Sequence, residues 1–137
     1  MFNKKKQPAI KSLIAHQCQI DGNFTFLDGM RLDGEVRGNL TGARERPSIL
    51  VISESGLVTG EVEADHIIVN GTVQGPVRAR VMLELQPKAR ISGDVFYKAL
   101  EMHQGALLEG RLCPVVDVAH EEKPTLKLAA NSQWDKT

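Results

Sequence analysis

Large aromatic side chains are scarce in this sequence of 137 residues, since one Trp, one Tyr and four Phe make up only 4% of it. A globular core usually contains more large rings, whereas a narrow core can be filled by Val, Ile and Leu alone. Cysteines are also few: Cys18 and Cys113 are the only two, and they do not suggest a disulfide framework. The length suits one domain.

Net charge and long apolar runs are missing as well. The 17 basic residues balance the 17 acidic ones, so no overall field attracts nucleic acid, and we expect no nucleic-acid partner. The apolar runs are too short to span a bilayer. The basic start is not followed by the apolar stretch of a secretory signal. We therefore expect a cytoplasmic protein.

What the chain does contain is a repeat. The phrase G-x-V-x-G-x-V-x-A occurs at residues 56–64 and again at residues 71–79. Gly, Val or Ala occupies every second position, which predicts a strand with one buried face. A repeat of this length is too short for two packed strands with the loops of a sandwich. It matches one turn of a parallel β-solenoid.

A shorter marker extends the repeat. It has the form apolar-x-Gly-x-apolar, as in residues 58–62, and it occurs six times. We call its glycines the marker glycines: Gly22, Gly38, Gly60, Gly75, Gly93 and Gly110. Their spacing indicates turns of similar length, with the polar stretch 43–48 as a loop inserted into one turn. A second apolar ladder before each marker gives about three short strands per turn.

The sequence therefore predicts an all-β, single-stranded parallel β-helix of about six turns over residues 13–113. Residues 1–12 are predicted as a disordered basic N-terminal arm and residues 114–137 as a disordered C-terminal tail. The marker glycines are expected at corners where neighbouring turns approach closely. A core ladder is expected at Val36, Val58, Val73 and Ile91.

Both ends of such a solenoid expose strand edges, and no helix-forming segment or charged run in the sequence caps them. The apolar residues predicted for the polymer interface are Leu13, Ile14, Phe24 and Phe26 at the N-terminal end, and Leu100, Met102, Leu108 and Leu112 at the C-terminal end. If N-terminal ends bind N-terminal ends and C-terminal ends bind C-terminal ends, the two kinds of two-fold contact alternate and the subunits form an open filament. The alternative is that these residues face the core and the tails cover the ends.

The N-terminal arm predicts a membrane contact. Phe2 would insert, and Lys4, Lys5 and Lys6 would lie over anionic lipid. Each Lys contributes roughly 1 kcal/mol at such a surface, so one arm binds weakly and many arms on one polymer bind through avidity. A solvated start without a membrane role is the open alternative.

Catalytic and metal-binding patterns are not found. No two of the four histidines share a short metal-ligand spacing, and no acidic or cysteine cluster accompanies them along the chain. A P-loop and a nucleophile elbow are both missing. Glycines four residues apart do not fit the six-residue repeat of left-handed, acyltransferase-like β-helix enzymes. We predict no enzyme activity, no cofactor and no metal site.

The repeats resemble those of the bactofilins, a bacterial family of polymer-forming cytoskeletal proteins. The resemblance covers residues 13–113 and is carried by Ile20-Asp-Gly22-Asn, by residues 32–40, and by the Val-x-Gly-x-Val phrases up to Leu112, with the Met-Phe-Asn-Lys start. It implies a right-handed, three-sided β-helix that assembles without nucleotide into nonpolar filaments on the inner face of the cytoplasmic membrane.

The resemblance further implies a scaffold for cell-wall-modifying enzymes and for cell shape. It also implies that Met1, Phe2, Lys4, Lys5 and Lys6 form the membrane-targeting segment, and that the partners are the protein itself and anionic inner-membrane lipid. The functional alternative is a non-polymerising β-solenoid adaptor that binds a partner protein through its outer faces.

Overall fold

A computed structural model of the chain describes residues 9–116, and within that range all regular structure is β-strand. The first eight strands are β1 (Ile10–Ile14), β2 (Gln19–Asp21), β3 (Phe24–Phe26), β4 (Gly29–Leu32), β5 (Glu35–Arg37), β6 (Leu40–Gly42), β7 (Ile49–Ile52) and β8 (Leu57–Thr59). The other eight are β9 (Val62–Val69), β10 (Thr72–Gln74), β11 (Val77–Leu85), β12 (Arg90–Ser92), β13 (Val95–Tyr97), β14 (Ala99–Met102), β15 (Leu107–Glu109) and β16 (Leu112–Pro114).

All pairings among these strands are parallel, and they form three ladders. The first ladder joins β1, β4, β7, residues 66–69 of β9, residues 82–85 of β11, and β14. The second joins β2, β5, β8, β10, β12 and β15. The third joins β3, β6, residues 62–64 of β9, residues 77–79 of β11, β13 and β16. The chain therefore winds through six turns of three strands, and the predicted parallel β-solenoid is confirmed.

The core is a stack of apolar columns, each formed by the same position in successive turns. In the second ladder Val36, Val58, Val73 and Ile91 are register partners, and none is more than 2% exposed. Burying an aliphatic side chain of this kind contributes about 1.5–3 kcal/mol. A single turn has nothing above or below it against which to bury these side chains, so the stability comes from stacking. The predicted core ladder is confirmed.

The corner between the second and third ladders is formed by the marker glycines. Their φ angles lie between 126° and 158°, a region that essentially only glycine occupies. A Cβ on Gly60 would overlap the carbonyl oxygen of Gly38 in the preceding turn. The amide of Gly38 in turn donates to the carbonyl of Thr59, at 2.9 Å. The glycines thus make the tight corner and admit the close neighbour, as the sequence predicts.

The polar stretch 43–48 is a loop between β6 and β7, and ion pairs fasten it to neighbouring turns. Arg44 pairs with Glu63, and the guanidinium of Arg46 lies 3.2 Å from the carboxylate of Asp28. Ser48 is fully buried and exchanges two hydrogen bonds with Asp65, of 3.1 and 3.0 Å. The inserted loop therefore lies against the outer surface and contacts neighbouring turns through these residues.

The strands extend slightly beyond the predicted domain boundaries. β1 begins at Ile10, inside the stretch that the sequence assigns to the basic arm, and β16 ends at Pro114. β1 lacks a clear alternation because it is an edge strand with a register shift between Ile10 and Ser12. Its backbone is held by pairing with β4, which requires no particular side chains. The rest of the predicted arm and tail lies outside the described residues.

Candidate assembly surfaces

The last turn of the solenoid consists of β14, β15 and β16. Within residues 9–116 each of these strands has one hydrogen-bonded neighbour, namely β11, β12 and β13 in that order. Their outer edges therefore present backbone N–H and C=O groups that no described strand pairs. Such an edge is a template for a strand of another chain.

The apolar columns of the core end at this turn. Leu112 continues the column in which Val95 is fully buried, yet Leu112 is 47% exposed. Met102 continues the column of Leu85 and is 43% exposed. Leu100 and Leu108 end two further columns and are half-buried. All four residues predicted for the C-terminal end thus belong to one apolar surface, which we call the C-terminal end surface.

Two exposed apolar residues of this region, Val115 and Val116, are absent from the sequence prediction, and both follow β16. Leu107, which the sequence also places in the C-terminal turn, is exposed at the start of β15. The sequence places these two valines in the predicted tail because Pro114 interrupts the alternation. The two adjacent valines after this proline are the sequence feature from which exposed apolar residues here could have been predicted.

The N-terminal end differs from the prediction. Ile14 and Phe26 are buried within the subunit, at 7% and 3% exposure, and Phe24 is half-buried. Leu13 is 59% exposed, but its register partner is Arg31, which places it on the outer surface of the first ladder. Ile14 is covered by its register partner Leu32, and Gly42, the register partner of Phe26, has no side chain that would occupy the space of the Phe26 ring. We therefore leave these two residues out of the proposed contact surface.

Other apolar side chains are available at that end. Ile10 and Leu27 are 46% and 48% exposed, and the edges of β1, β2 and β3 are free of a second strand within the described range. The predicted membrane-binding residues Met1, Phe2, Lys4, Lys5 and Lys6 lie outside the described residues. Their roles therefore stay predictions.

Asp94 fastens the last turn to the fifth turn. Its carboxylate accepts a hydrogen bond from the guanidinium of Arg111, at 3.0 Å, and another from the backbone N–H of Arg111, at 2.9 Å. Both bonds favour the ionised carboxylate, and they hold the pKa of Asp94 below its ordinary value, with the guanidinium as the larger cause. At the equivalent corner of the second turn, the uncharged side-chain oxygen of Asn39 accepts a hydrogen bond from the backbone N–H of Glu61 in the third turn.

Acid is therefore expected to loosen the last turn. A carboxyl group whose pKa is lowered by folding stabilises the fold above its ordinary pKa of 3.8, and this contribution is lost as the pH falls through the lower, folded value. Amide hydrogen exchange should show the protection of the Arg111 N–H decreasing below about pH 4. The Glu61 N–H, whose acceptor does not titrate, is the internal control. In Asp94→Asn the same decrease should disappear, and an unchanged decrease would contradict this role of Asp94.

The expectation that no acidic cluster accompanies a histidine is wrong for His103. Glu84, Glu101 and His103 place three possible ligand atoms within 4.8 Å of one another. Glu84 is far from the other two along the chain, and the first ladder brings it beside Glu101 because the two are register partners. Spacing in the sequence alone does not reveal such a group.

An open groove that includes Asp33 lies on the outer surface near the first ladder. The groove has a volume of about 500 Å³, and Arg31, Asp33, Ser53, Asn70 and Gln86 are among the residues that line it. The guanidinium of Arg31 lies 2.8 Å from the carboxylate of Asp33. This groove is the feature that an adaptor function would use.

A family model described as "Bactofilin: Polymer-forming cytoskeletal" matches residues 12–113, which include every turn of the solenoid. The chain belongs to the bactofilin family. This bactofilin is 31% identical over 93 residues to Bactofilin BacP of Myxococcus xanthus (strain DK1622), over 68% of this chain and 37% of BacP. It is 22% identical over 111 residues to Bactofilin BacO of the same strain, over 81% of this chain and 85% of BacO.

The chain thus spans little more than a third of BacP but most of BacO. No solved structure matches this bactofilin significantly. In residues 9–116 there is no helix that is long and apolar enough to cross a membrane. The family is described as polymer-forming and cytoskeletal, which makes the ends of the solenoid the candidate assembly surfaces.

Proposed function

We propose that this chain polymerises end to end into a nonpolar filament without nucleotide, and that C-terminal ends bind C-terminal ends. The supporting observation is the contrast within one apolar column: Val95 is fully buried, whereas Leu112 in the next turn is 47% exposed. A second C-terminal end surface laid over the first would continue all four columns and remove them from water.

A contact between two copies of the same surface is two-fold symmetric and closes on itself. Growth of a filament therefore needs a second contact. The edges of β1, β2 and β3, with exposed Ile10 and Leu27, provide the candidate surface at the opposite end. Alternation of the two contacts gives a filament without polarity, since neighbouring subunits point in opposite directions.

Sedimentation of the purified chain at low and high salt tests this proposal. The end contacts are mainly apolar, so the protein should pellet in a concentration-dependent manner at both salt concentrations. The alternative adaptor would bind a partner through the outer groove near Asp33 and sediment as a particle of fixed size. A sedimentation coefficient independent of protein concentration would contradict polymerisation.

We also propose that the polymer lies on the cytoplasmic face of the inner membrane. The support is the composition of the first residues, in which Phe2 precedes Lys4, Lys5 and Lys6. The polymer would act as a scaffold without catalysis and would position cell-wall-modifying enzymes and support cell shape. Membership in a structural, polymer-forming family and the bactofilin-like N-terminal segment support this role.

Replacing Lys4, Lys5 and Lys6 by Gln should weaken binding to anionic vesicles. At roughly 1 kcal/mol for each lysine, one arm loses roughly 100-fold in affinity. Cosedimentation with vesicles that contain anionic lipid measures the change, with neutral vesicles as the reference. Lys11→Gln is the control, because Lys11 belongs to β1 and pairs with Asp28 at 3.1 Å. Equal binding of the triple variant and the parent would contradict the membrane role.

A further inference from the structure

The last two turns bring one imidazole and two carboxylates together on the outer surface. Nε2 of His103 lies 3.0 Å from the Oε2 atom of Glu84 and 3.3 Å from the Oε2 atom of Glu101. We propose that these three residues bind a divalent transition-metal ion, with Zn²⁺ as the best-suited ion. The proposal depends on neither polymerisation nor membrane binding.

The fold fixes this arrangement through strand alternation and stacking. Glu101 and His103 are two residues apart, so both face outward while Met102 between them continues an inward column. Glu84 stands beside Glu101 in the preceding turn, as its register partner. Gln86 orients the Glu84 carboxylate by donating a hydrogen bond of 3.3 Å. The three ligands therefore come from two adjacent turns on one rigid ladder.

The separations suit a metal ion. Zinc binds histidine nitrogen and carboxylate oxygen at about 2.0–2.2 Å, so two ligands of a tetrahedral site lie about 3.3–3.5 Å apart. The two nitrogen–oxygen distances at His103 are close to this value. Imidazole combined with carboxylates suits Zn²⁺ and related ions, whereas Mg²⁺ and Ca²⁺ prefer oxygen ligands alone. The half-exposed ring of His103 leaves the fourth position open to water.

The charges of the group also favour a cation. Glu84 and Glu101 are adjacent in one outward column, and like charges directly opposite each other destabilise a strand pair. The preceding members of that column are Leu13, Arg31, Val51 and Ile68, none of which is acidic. A divalent ion would neutralise both carboxylates and would tie the last turn to the fifth turn. Hydrogen bonds between His103 and the two carboxylates, with no metal ion bound, are the competing explanation.

Calorimetric titration of the untagged, full-length, metal-free protein with Zn²⁺ separates the two explanations. We expect one Zn²⁺ ion per chain, and we expect Zn²⁺ at about 100 times its Kd to raise the unfolding temperature by roughly 10 °C. Glu84→Gln and His103→Gln should each weaken binding by at least roughly tenfold, because each removes one of three protein ligands.

His66→Gln is the matched control, since His66 faces outward on the same ladder but lies outside the cluster. It should leave both the affinity and the thermal shift unchanged. Circular dichroism of the metal-free variants establishes that each is folded before titration. Absence of Zn²⁺ binding by the parent protein would overturn the proposal. Zn²⁺ binding that His103→Gln leaves unchanged would also overturn it, because another group, such as the exposed Cys18, would then be the ligand.

Discussion

Leu112→Arg is expected to abolish the polymer while the solenoid stays folded. In the isolated subunit Leu112 is 47% exposed, so an arginine there can extend into water without disturbing the core. In the proposed end contact, the same guanidinium would be buried beside Leu100, Met102 and Leu108 without a counter-charge. An uncompensated buried charge costs several kcal/mol.

The symmetry of the contact increases this effect. A two-fold interface brings two copies of every residue into one contact, so the substitution introduces two like charges. The protein concentration needed for polymer should rise by at least roughly 100-fold, which corresponds to about 3 kcal/mol. Circular dichroism should show the parent β spectrum, and sedimentation should show a small particle.

Val81→Arg is the matched control for this substitution. Val81 is an apolar residue of similar exposure, 44%, but it lies in β11, whose edge is covered by β14 of the last turn, so it is not part of the C-terminal end surface. The same charge added there should leave polymerisation unchanged. Polymer of parental stability in Leu112→Arg, or equal loss in both variants, would contradict the assignment of the C-terminal end surface.

Gly60→Ala is expected to destabilise the fold itself. The φ angle of Gly60 is 148°, and a Cβ would overlap the carbonyl oxygen of Gly38 in the turn below. The backbone conformation alone costs about 1–3 kcal/mol for a residue with a side chain, and the overlap forces neighbouring turns apart. We expect a total loss of at least about 3 kcal/mol, or a decrease of more than roughly 10 °C in the unfolding temperature.

Gly22→Ala separates the two causes. Gly22 is the first marker glycine and has a similar φ of 126°, but no atom lies within 4 Å of the position its Cβ would take. It should therefore show only the conformational cost. Both substitutions are measured by thermal unfolding in the Leu112→Arg background, so that dissociation of a polymer does not contribute. Equal destabilisation by the two variants would show that stacking of the glycines has no energetic role.

The repeating part of the fold could be predicted from the sequence because each turn uses the same two local rules. Alternation identifies inward positions such as Val58 and Val73, and a glycine at a fixed offset identifies each corner. Neither rule depends on distant residues. The number of turns, the core ladder and the position of the inserted loop follow from them.

The ends were predicted less well, because a pattern shows which residues face inward but not how well they are covered. Phe26 and Leu112 both occupy inward positions in terminal turns. Phe26 is covered because glycine at position 42 leaves space for its ring, whereas Leu112 is not covered within the described residues. That difference depends on side-chain volume in the neighbouring turn, which periodicity does not report.

Outward side chains were the hardest part to predict. Glu63 and Arg78 are register partners, as their shared position in the repeat predicts, yet the guanidinium of Arg78 lies 2.5 Å from the carboxylate of Glu61 instead. Arg78 also stacks over the ring of Phe96, with 4.3 Å from the guanidinium carbon to the ring centroid. Long side chains reach beyond their own column, so the register alone does not determine their partners.

Electron microscopy of the purified, nucleotide-free protein in negative stain is the most direct test of end-to-end assembly. Six turns at about 4.8 Å each predict an axial repeat of about 30 Å for every subunit in a stack. We expect long, unbranched filaments with this spacing. Discrete particles of one size at all protein concentrations would contradict assembly through the ends of the solenoid.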